Sequence, residues 1–451
     1  MSKIKKRKVA IILLFLAAFV LKALLTTLIN KGDILAIEEW SRSLYERGLA
    51  GSYFREGWVY TFPTQPPLMM LLYWSSRWLF EHKFYLSLWH NSFRLPPAFL
   101  ILWVDRNGPL FFVRFWGILA DCLSAGLVYF LVKKVFKDTK IAFWAMFFLL
   151  FNPLIIFDSS IWGQVDLLAP LLALVSFLSL FFHGRFGKFA SPVLFTCGIL
   201  LKPTVLLFTP LYFLLFLKEF HFSFPKEKKR YLFFLLGLIF SIGLTLALFL
   251  PFWDKSEPFF KYVNSIVTRR IIPSAKGISK VANSGYTFFT IFYDIDKTLG
   301  SQRLGFLTLD QWGNLFFILI NLAAAKLILV NRQESINKRL SKFLFVGYFV
   351  AEGTFLFKTG MAERYFFPAF LFIYILFFIS NNDYLKKAIL LQMAVWFINL
   401  TSSFFLSDYS WIDLVFRQYN YLGTRVVSLI NVLVYLYIFK NYSKLNFKIY
   451  K

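Results

Sequence analysis

The chain has 451 residues, of which 58% are hydrophobic, 21% are aromatic and only 16% are charged. This composition excludes an ordinary soluble domain. The formal net charge of +26 would suit a nucleic-acid-binding protein, but the Lys and Arg residues stand in short clusters between apolar runs. We interpret these clusters as membrane-topology signals and expect no nucleic-acid partner.

Apolar runs long enough to cross ~30 Å of hydrocarbon as helices recur along the whole chain. They predict an all-α polytopic membrane protein with about 12 transmembrane helices, within a range of about 11–13. We expect a single domain covering residues 1–451. The predicted spans are 9–29, 110–132, 141–157, 165–182, 189–201, 203–217, 231–251, 308–330, 343–357, 361–379, 386–404 and 421–439.

The apolar segment 67–80 decides the topology, because counting it as a crossing moves every later loop to the other side. If it does not cross, the basic clusters around Lys134 and Lys386 share the side of the basic N-terminus, as the positive-inside rule requires. We therefore place both termini in the cytoplasm and predict that 67–80 and 95–104 are juxtamembrane helices. Whether 67–80 and 189–217 cross the membrane stays open at this stage.

Two long loops then face the outer side, 30–109 and 252–307. The first begins with Gly32-Asp33 and continues into a short amphipathic segment around Trp40. A carboxylate in this position can take the proton of an acceptor hydroxyl as the hydroxyl oxygen attacks carbon. Asp33 is therefore our candidate catalytic base; the alternative is that it only caps a helix beginning at Ile34.

Arg114 and Asp121 lie seven residues apart in a predicted span and share one helix face. Ionisable residues inside a span mark function or a specific partner. Asp121 either supports the site or ties neighbouring helices together. Arg114 is nearer the outer side and can hold an anionic head group.

A polar notch separates the spans 141–157 and 165–182. Within nine residues it carries Asp158, Trp162, Gln164 and Asp166. Such side chains can hydrogen-bond sugar hydroxyls or bind a divalent cation, Mg²⁺ or Mn²⁺. As an isolated turn the notch would be a helix-capping site, but the acids on the same side favour a reaction site.

The cations Lys202 and Arg364 stand where predicted spans break or begin, on the same outer side. Cations beside acids suit a substrate whose lipid-linked phosphate is held while a nearby hydroxyl is deprotonated. Glu363 and Tyr365 flank Arg364 and are expected to support it.

The sequence resembles the bacterial integral-membrane mannosyltransferase-like proteins related to GPI mannosyltransferase 2, within the GT-C glycosyltransferase superfamily. The resemblance covers about residues 10 to 380 and departs from the family pattern at Gln65 and Ala362, where the family has Tyr and His. The shared motifs, in order, are Gly32-Asp33, Pro66-Pro67-Leu68, Arg114 with Asp121, Asn152-Pro153, Trp162-Gly163-Gln164-Val165-Asp166, Lys202-Pro203 and Glu363-Arg364-Tyr365.

The resemblance implies a GT-C-like fold in a bacterial inner membrane and an inverting transfer of a hexose from a polyprenyl-phosphate donor to a lipid or glycan acceptor. Asp33 matches the acid of the family's first outer loop, while Arg364, Lys202 and Arg114 would hold the donor phosphate. A secondary transporter or lipid flippase is the main alternative, although transporters tend to show inverted repeats. A polysaccharide ligase or polymerase is the other.

Overall fold

The structure of the chain is a computed structural model, which describes residues 3–181, 184–220, 228–272, 280, 282–283, 285–295, 297–329 and 336–442. Both extreme termini, and parts of the predicted loop 252–307, lie outside the described residues. The described chain is mostly helical. The helices are α1 Lys3–Leu25, α2 Asp33–Arg47, α3 Pro67–Glu81, α4 Phe84–Phe93, α5 Ala98–Phe136, α6 Thr139–Leu150, α7 Pro153–Ile156, α8 Leu168–Phe181, α9 Arg185–Leu201, α10 Thr209–Phe220, α11 Lys228–Phe249, α12 Phe259–Ile266, α13 Leu309–Leu329, α14 Ile336–Phe357, α15 Phe367–Ile379, α16 Asp383–Phe405, α17 Ser410–Asp413 and α18 Leu422–Asn441.

Seven helical stretches within the described residues are long and apolar enough to cross a membrane, and the protein is therefore a membrane protein of the all-α class. Each overlaps a predicted span. They are Ala98–Lys134, Thr139–Trp162, Tyr231–Phe252, Leu309–Leu329, Lys338–Phe357, Asp383–Phe405 and Leu422–Asn441. Shorter apolar helices occupy four more predicted spans, and they are Val9–Leu25, Leu168–Phe181, Pro203–Lys218 and Phe367–Ile379.

Residues 95–104 do not form a helix of their own. Residues from Ala98 onward belong to α5, which runs without a break through Pro109 to Phe136. Neighbouring contacts allow a membrane helix to continue through proline in this way. At ~1.5 Å per residue α5 is longer than the ~30 Å of hydrocarbon that one crossing needs, so the juxtamembrane position of its first turns stays a prediction.

The segment 67–80 does form a separate helix, α3. Its buried face includes Met69, Met70, Tyr73 and Phe80, a spacing typical of a helix with one apolar stripe. This face packs against α2 and α5. The first loop is thus a folded layer of helices, which places Asp33, at the start of α2, against the ends of other helices.

Two small β-pairs complete the fold. The strands are β1 Ala282–Asn283, β2 Arg303–Leu304, β3 Leu307–Thr308 and β4 Met361–Ala362. β1 runs parallel to β4, and β2 is antiparallel to β3. The β1–β4 pair joins the second long loop to the segment that carries Glu363 and Arg364.

Candidate active site

Asp33 is the first residue of α2. The preceding Gly32 has φ 64° and makes no side-chain capping bond. The Asp33 carboxylate instead lies 2.9 Å from Arg364 Nη1 and accepts a hydrogen bond of 3.2 Å from Gln164 Nε2. Its side chain is 49% exposed. These contacts favour the site interpretation over the capping one, because both partners come from distant parts of the chain.

Arg364 is the centre of the cluster. Its Nε is 3.0 Å from Glu363 Oε1 and 3.9 Å from Asp166 Oδ2. Its guanidinium carbon lies 4.8 Å from the Trp162 ring centroid, within cation–π range. Burial opposes the charge of Arg364, but the carboxylates of Glu363, Asp33 and Asp166 together raise its pKa above the ordinary value. The guanidinium therefore stays charged and is held in place by acids on three sides.

Lys202 is the second cation of the cluster. It ends α9 in an extended conformation with φ −150°, just before the short 3₁₀ turn Pro203–Phe208. Pro203 helps to break the helix here, since the residue before a proline favours extended backbone. Lys202 Nζ pairs with Asp166 Oδ1. Asp166 thus links the two cations that the sequence predicted to bind phosphate.

The notch between α7 and α8 is shaped by a π-helical turn, Phe157–Trp162, that ends at Gly163. The backbone carbonyl of Asp158 accepts from the amides of Gly163 and Gln164, each at 2.9 Å. Gly163 has φ 83°, and an added Cβ would lie 2.5 Å from Ile34 Cδ1. Glycine is required here because the first turn of α2 packs directly on the notch.

Asp158 lies within electrostatic reach of Lys202 and Arg364. Its side chain is buried, and within the described part of the chain its Oδ1 has no hydrogen-bond partner. Trp162, Gln164 and Asp166 contact the cluster directly, as described above. We interpret Asp158 as the floor of the notch, and the other three residues, which are also buried, as its wall.

Arg114 occupies a different setting from the predicted one. Its side chain is fully buried, and its two terminal nitrogens donate four hydrogen bonds between 2.7 and 3.0 Å. The acceptors are Thr26 O, Ile29 O, Asn30 Oδ1 and Ile161 O. This geometry favours a structural role, in which Arg114 holds the end of α1 against the notch, over phosphate binding.

Asp121 lies deeper and pairs with a residue that the sequence argument missed. Lys22 Nζ of α1 donates to Asp121 Oδ2, and both side chains are buried. Ser159 Oγ donates to the same oxygen at 2.7 Å. The available signal was a lone lysine inside the first apolar run. Asp121 therefore ties α1, α5 and the π-helical turn together beneath the site.

Glu363 and Tyr365 flank Arg364 as expected. Burial raises the pKa of Glu363, although the charge of Arg364 opposes the shift. A second missed residue is Tyr73 of α3, which is buried. Burial raises the Tyr73 pKa most, and the Asp166 carboxylate adds to the rise, which places the phenol within electrostatic reach of the cluster. Its position on the buried stripe of α3 was the sequence signal.

The acids do not gather around a common metal position. Among the described residues, no group of three or more His, Cys, Asp or Glu side chains is arranged to hold a metal ion. Asp33 and Glu363 face Arg364, and Asp166 faces both cations. The structure thus assigns these carboxylates to cations of the chain, and Mg²⁺ or Mn²⁺ stays an untested expectation.

No protein-family model matches this chain. A search of curated proteins likewise finds no match.

Proposed function

We propose that the protein is an inverting glycosyltransferase of the GT-C type that moves a single mannose-like hexose from a polyprenyl-phosphate donor to a hydroxyl of a lipid or glycan acceptor. The reaction would take place on the extracytoplasmic side of a bacterial plasma membrane, with both chain termini in the cytoplasm. The observation that carries this proposal is the half-exposed Asp33 carboxylate at 2.9 Å from the buried guanidinium of Arg364.

A base beside a fixed cation suits a displacement at an anomeric carbon. Asp33 takes the proton of the acceptor hydroxyl as the acceptor oxygen forms its bond to that carbon. The bond between the carbon and the phosphate oxygen breaks, and its electron pair leaves with the polyprenyl phosphate. Arg364 and Lys202 stabilise the negative charge that develops on this leaving group.

The other polar residues of the cluster hold these groups in place. Asp166 aligns Lys202 and Arg364 through the contacts described above, and Trp162 supports the guanidinium face. Gln164 hydrogen-bonds Asp33, and its amide is also positioned to meet a sugar hydroxyl. Such fixed geometry lowers the cost of bringing base, acceptor and donor into line.

The test is transfer by the purified protein in lipid nanodiscs, with radiolabelled mannosyl polyprenyl phosphate and envelope lipid extract as acceptor. Asp33→Asn removes the base and should lower turnover by about 10²–10⁴-fold. The matched control is Asp105→Asn, since Asp105 also pairs with a cation, Lys83, but is 61% exposed. Wild-type turnover in the Asp33→Asn protein would refute the assigned base.

One observation favours a proton-coupled transporter as the second candidate. Asp121 and Glu352 are buried carboxyls inside apolar helices, and such residues line proton pathways in transporters. Movement of labelled lipid-linked sugar across proteoliposomes without any covalent product would favour transport. A labelled product that appears only with Asp33 intact would favour transfer, and transfer of an intact oligosaccharide would favour a polysaccharide ligase.

A further inference from the structure

Asn399 of α16 joins the two outer segments that meet at the site. Its side-chain amide donates from Nδ2 to the Glu363 carbonyl at 2.9 Å. Its Oδ1 accepts from the Tyr286 backbone amide, also at 2.9 Å. The Asn399 side chain is buried, with 1% exposed. Both ends of one buried amide are therefore used to hold the backbone of segments that have no regular helix at that point.

The backbone of Tyr286 is held at its carbonyl as well. Asn431 of α18 donates to the Tyr286 carbonyl at 3.2 Å. The Asn431 Oδ1 accepts from Gln392 Nε2, which also donates to Glu352 Oε1 at 3.1 Å. These three side chains are fully buried. A polar network thus runs inside α14, α16 and α18 and ends at the backbone next to the site.

The same network reaches the segment beyond Arg364. Trp396 lies one helical turn before Asn399, and its Nε1 donates to Glu352 Oε1 at 3.2 Å. Its ring stacks on Phe366, with centroids 4.8 Å apart and planes at 9°. The chain is therefore held on both sides of Arg364. Asn399 bonds the carbonyl of Glu363, and Trp396 stacks on the ring of Phe366.

The outer segments also fit each other closely. β1 pairs with β4, and the Gly285 amide donates to the Met361 carbonyl at 3.0 Å. A Cβ at Gly285 would lie 2.6 Å from that oxygen. A shift of the 285–286 backbone would therefore displace the 361–364 backbone. Asn399 sits where a single side chain can fix both.

We infer that Asn399 is a positioning residue for Arg364. The network of Glu352, Gln392 and Asn431 anchors the Tyr286 backbone that Asn399 also holds. Loss of the Asn399 amide leaves a buried carbonyl at Glu363 and a buried amide at Tyr286 without partners, so both segments relax toward other arrangements. The guanidinium then loses its fixed distance to Asp33. This assignment gives a function to Glu352, a fully buried carboxyl of α14.

Hydrogen exchange measured by mass spectrometry on the full chain in nanodiscs tests this directly. Asn399→Leu conserves volume but loses both bonds, and should speed exchange of the amides in 361–366 and of Tyr286 about tenfold. Asn399→Gln keeps the side-chain amide but places it one methylene further from the backbone. Exchange of the same backbone amides should therefore be faster than in wild type and slower than in Asn399→Leu. Asn321→Leu is the control, because among the described residues the Asn321 amide bonds within its own helix, to Phe317 O.

A second readout rests on the proposed function. Farnesyl phosphate serves as the probe, and its affinity, measured by calorimetry, should weaken about tenfold in Asn399→Leu and stay unchanged in Asn321→Leu. If wild type does not bind the probe, phosphate binding fails while the exchange result still decides the positioning role. Unchanged exchange of the 361–366 amides in both Asn399 variants would overturn the inference. If Asn399→Leu does not fold, unchanged exchange in Asn399→Gln is sufficient to overturn it.

Discussion

The buried pair of Lys22 and Asp121 makes a strong prediction about stability. The side chains are 0% and 2% exposed, so removing either one leaves an uncompensated charge in an apolar surrounding. Lys22→Met or Asp121→Leu alone should therefore lower the free energy of unfolding by about 3–5 kcal/mol. The double variant should be more stable than either single variant, because neither unpaired charge is left.

The hydroxyl next to this pair does not change the expectation. Ser159 Oγ also donates to its own helix, to Ile155 O at 3.0 Å, and stays satisfied when Asp121 is removed. Reversible unfolding in mixed SDS micelles measures all three variants. Lys83→Met is the control, because the Lys83–Asp105 pair is 33% and 61% exposed and should contribute at most about 1 kcal/mol. A double variant as unstable as the sum of the single variants would refute the reasoning.

Three further predictions concern the cluster. Gly163→Ala should destabilise the protein by about 1–3 kcal/mol, because the methyl group meets Ile34 and the backbone is left-handed; unchanged SDS unfolding would contradict this. Tyr73→Phe should reduce transfer about tenfold with stability kept, measured as turnover beside unfolding; an equal loss of both would make Tyr73 structural. The donor KM should rise with pH, measured between about pH 5 and 8, and Glu363→Gln should remove that rise; a rise that persists in Glu363→Gln would exclude Glu363 as its source.

The convergence of Asp33, Gln164, Lys202 and Arg364 was within reach of the sequence. Charge patterning placed all four on one side of the membrane, and each stood at the end of an apolar run. Residues that stand at the ends of helices on one side of a bundle are expected to lie close together. In the structure Asp33 contacts Gln164 and Arg364, and Asp166 links Lys202 to Arg364. Which membrane side they face stays a prediction.

The partners of buried polar residues could not be predicted from the sequence. Lys22 faces Asp121, and Glu352 faces Gln392 and Trp396, but an apolar span has no pattern that says which helix it will touch. Helix neighbours depend on packing between side chains of similar hydrophobicity. The position of Asp121 inside a predicted span therefore marked this acid as unusual without giving its partner.

The charge balance of the cluster explains why Glu363 should control donor binding. Asp33, Asp166 and Glu363 face Arg364 and Lys202, so three acids meet two cations, and a fully ionised cluster repels a phosphate. Burial raises the pKa of Glu363 above its ordinary value, so this acid takes up a proton as pH falls.

With Glu363 neutral, two acids balance two cations and Arg364 is freer to meet an anion. The donor phosphodiester keeps one negative charge across neutral pH, so its own titration adds no slope. As pH rises through the Glu363 pKa, a new negative charge appears 3.0 Å from Arg364 Nε and donor affinity falls. In Glu363→Gln no charge appears, while the backbone carbonyl held by Asn399 is unchanged, so the loss of pH dependence would report the carboxylate alone.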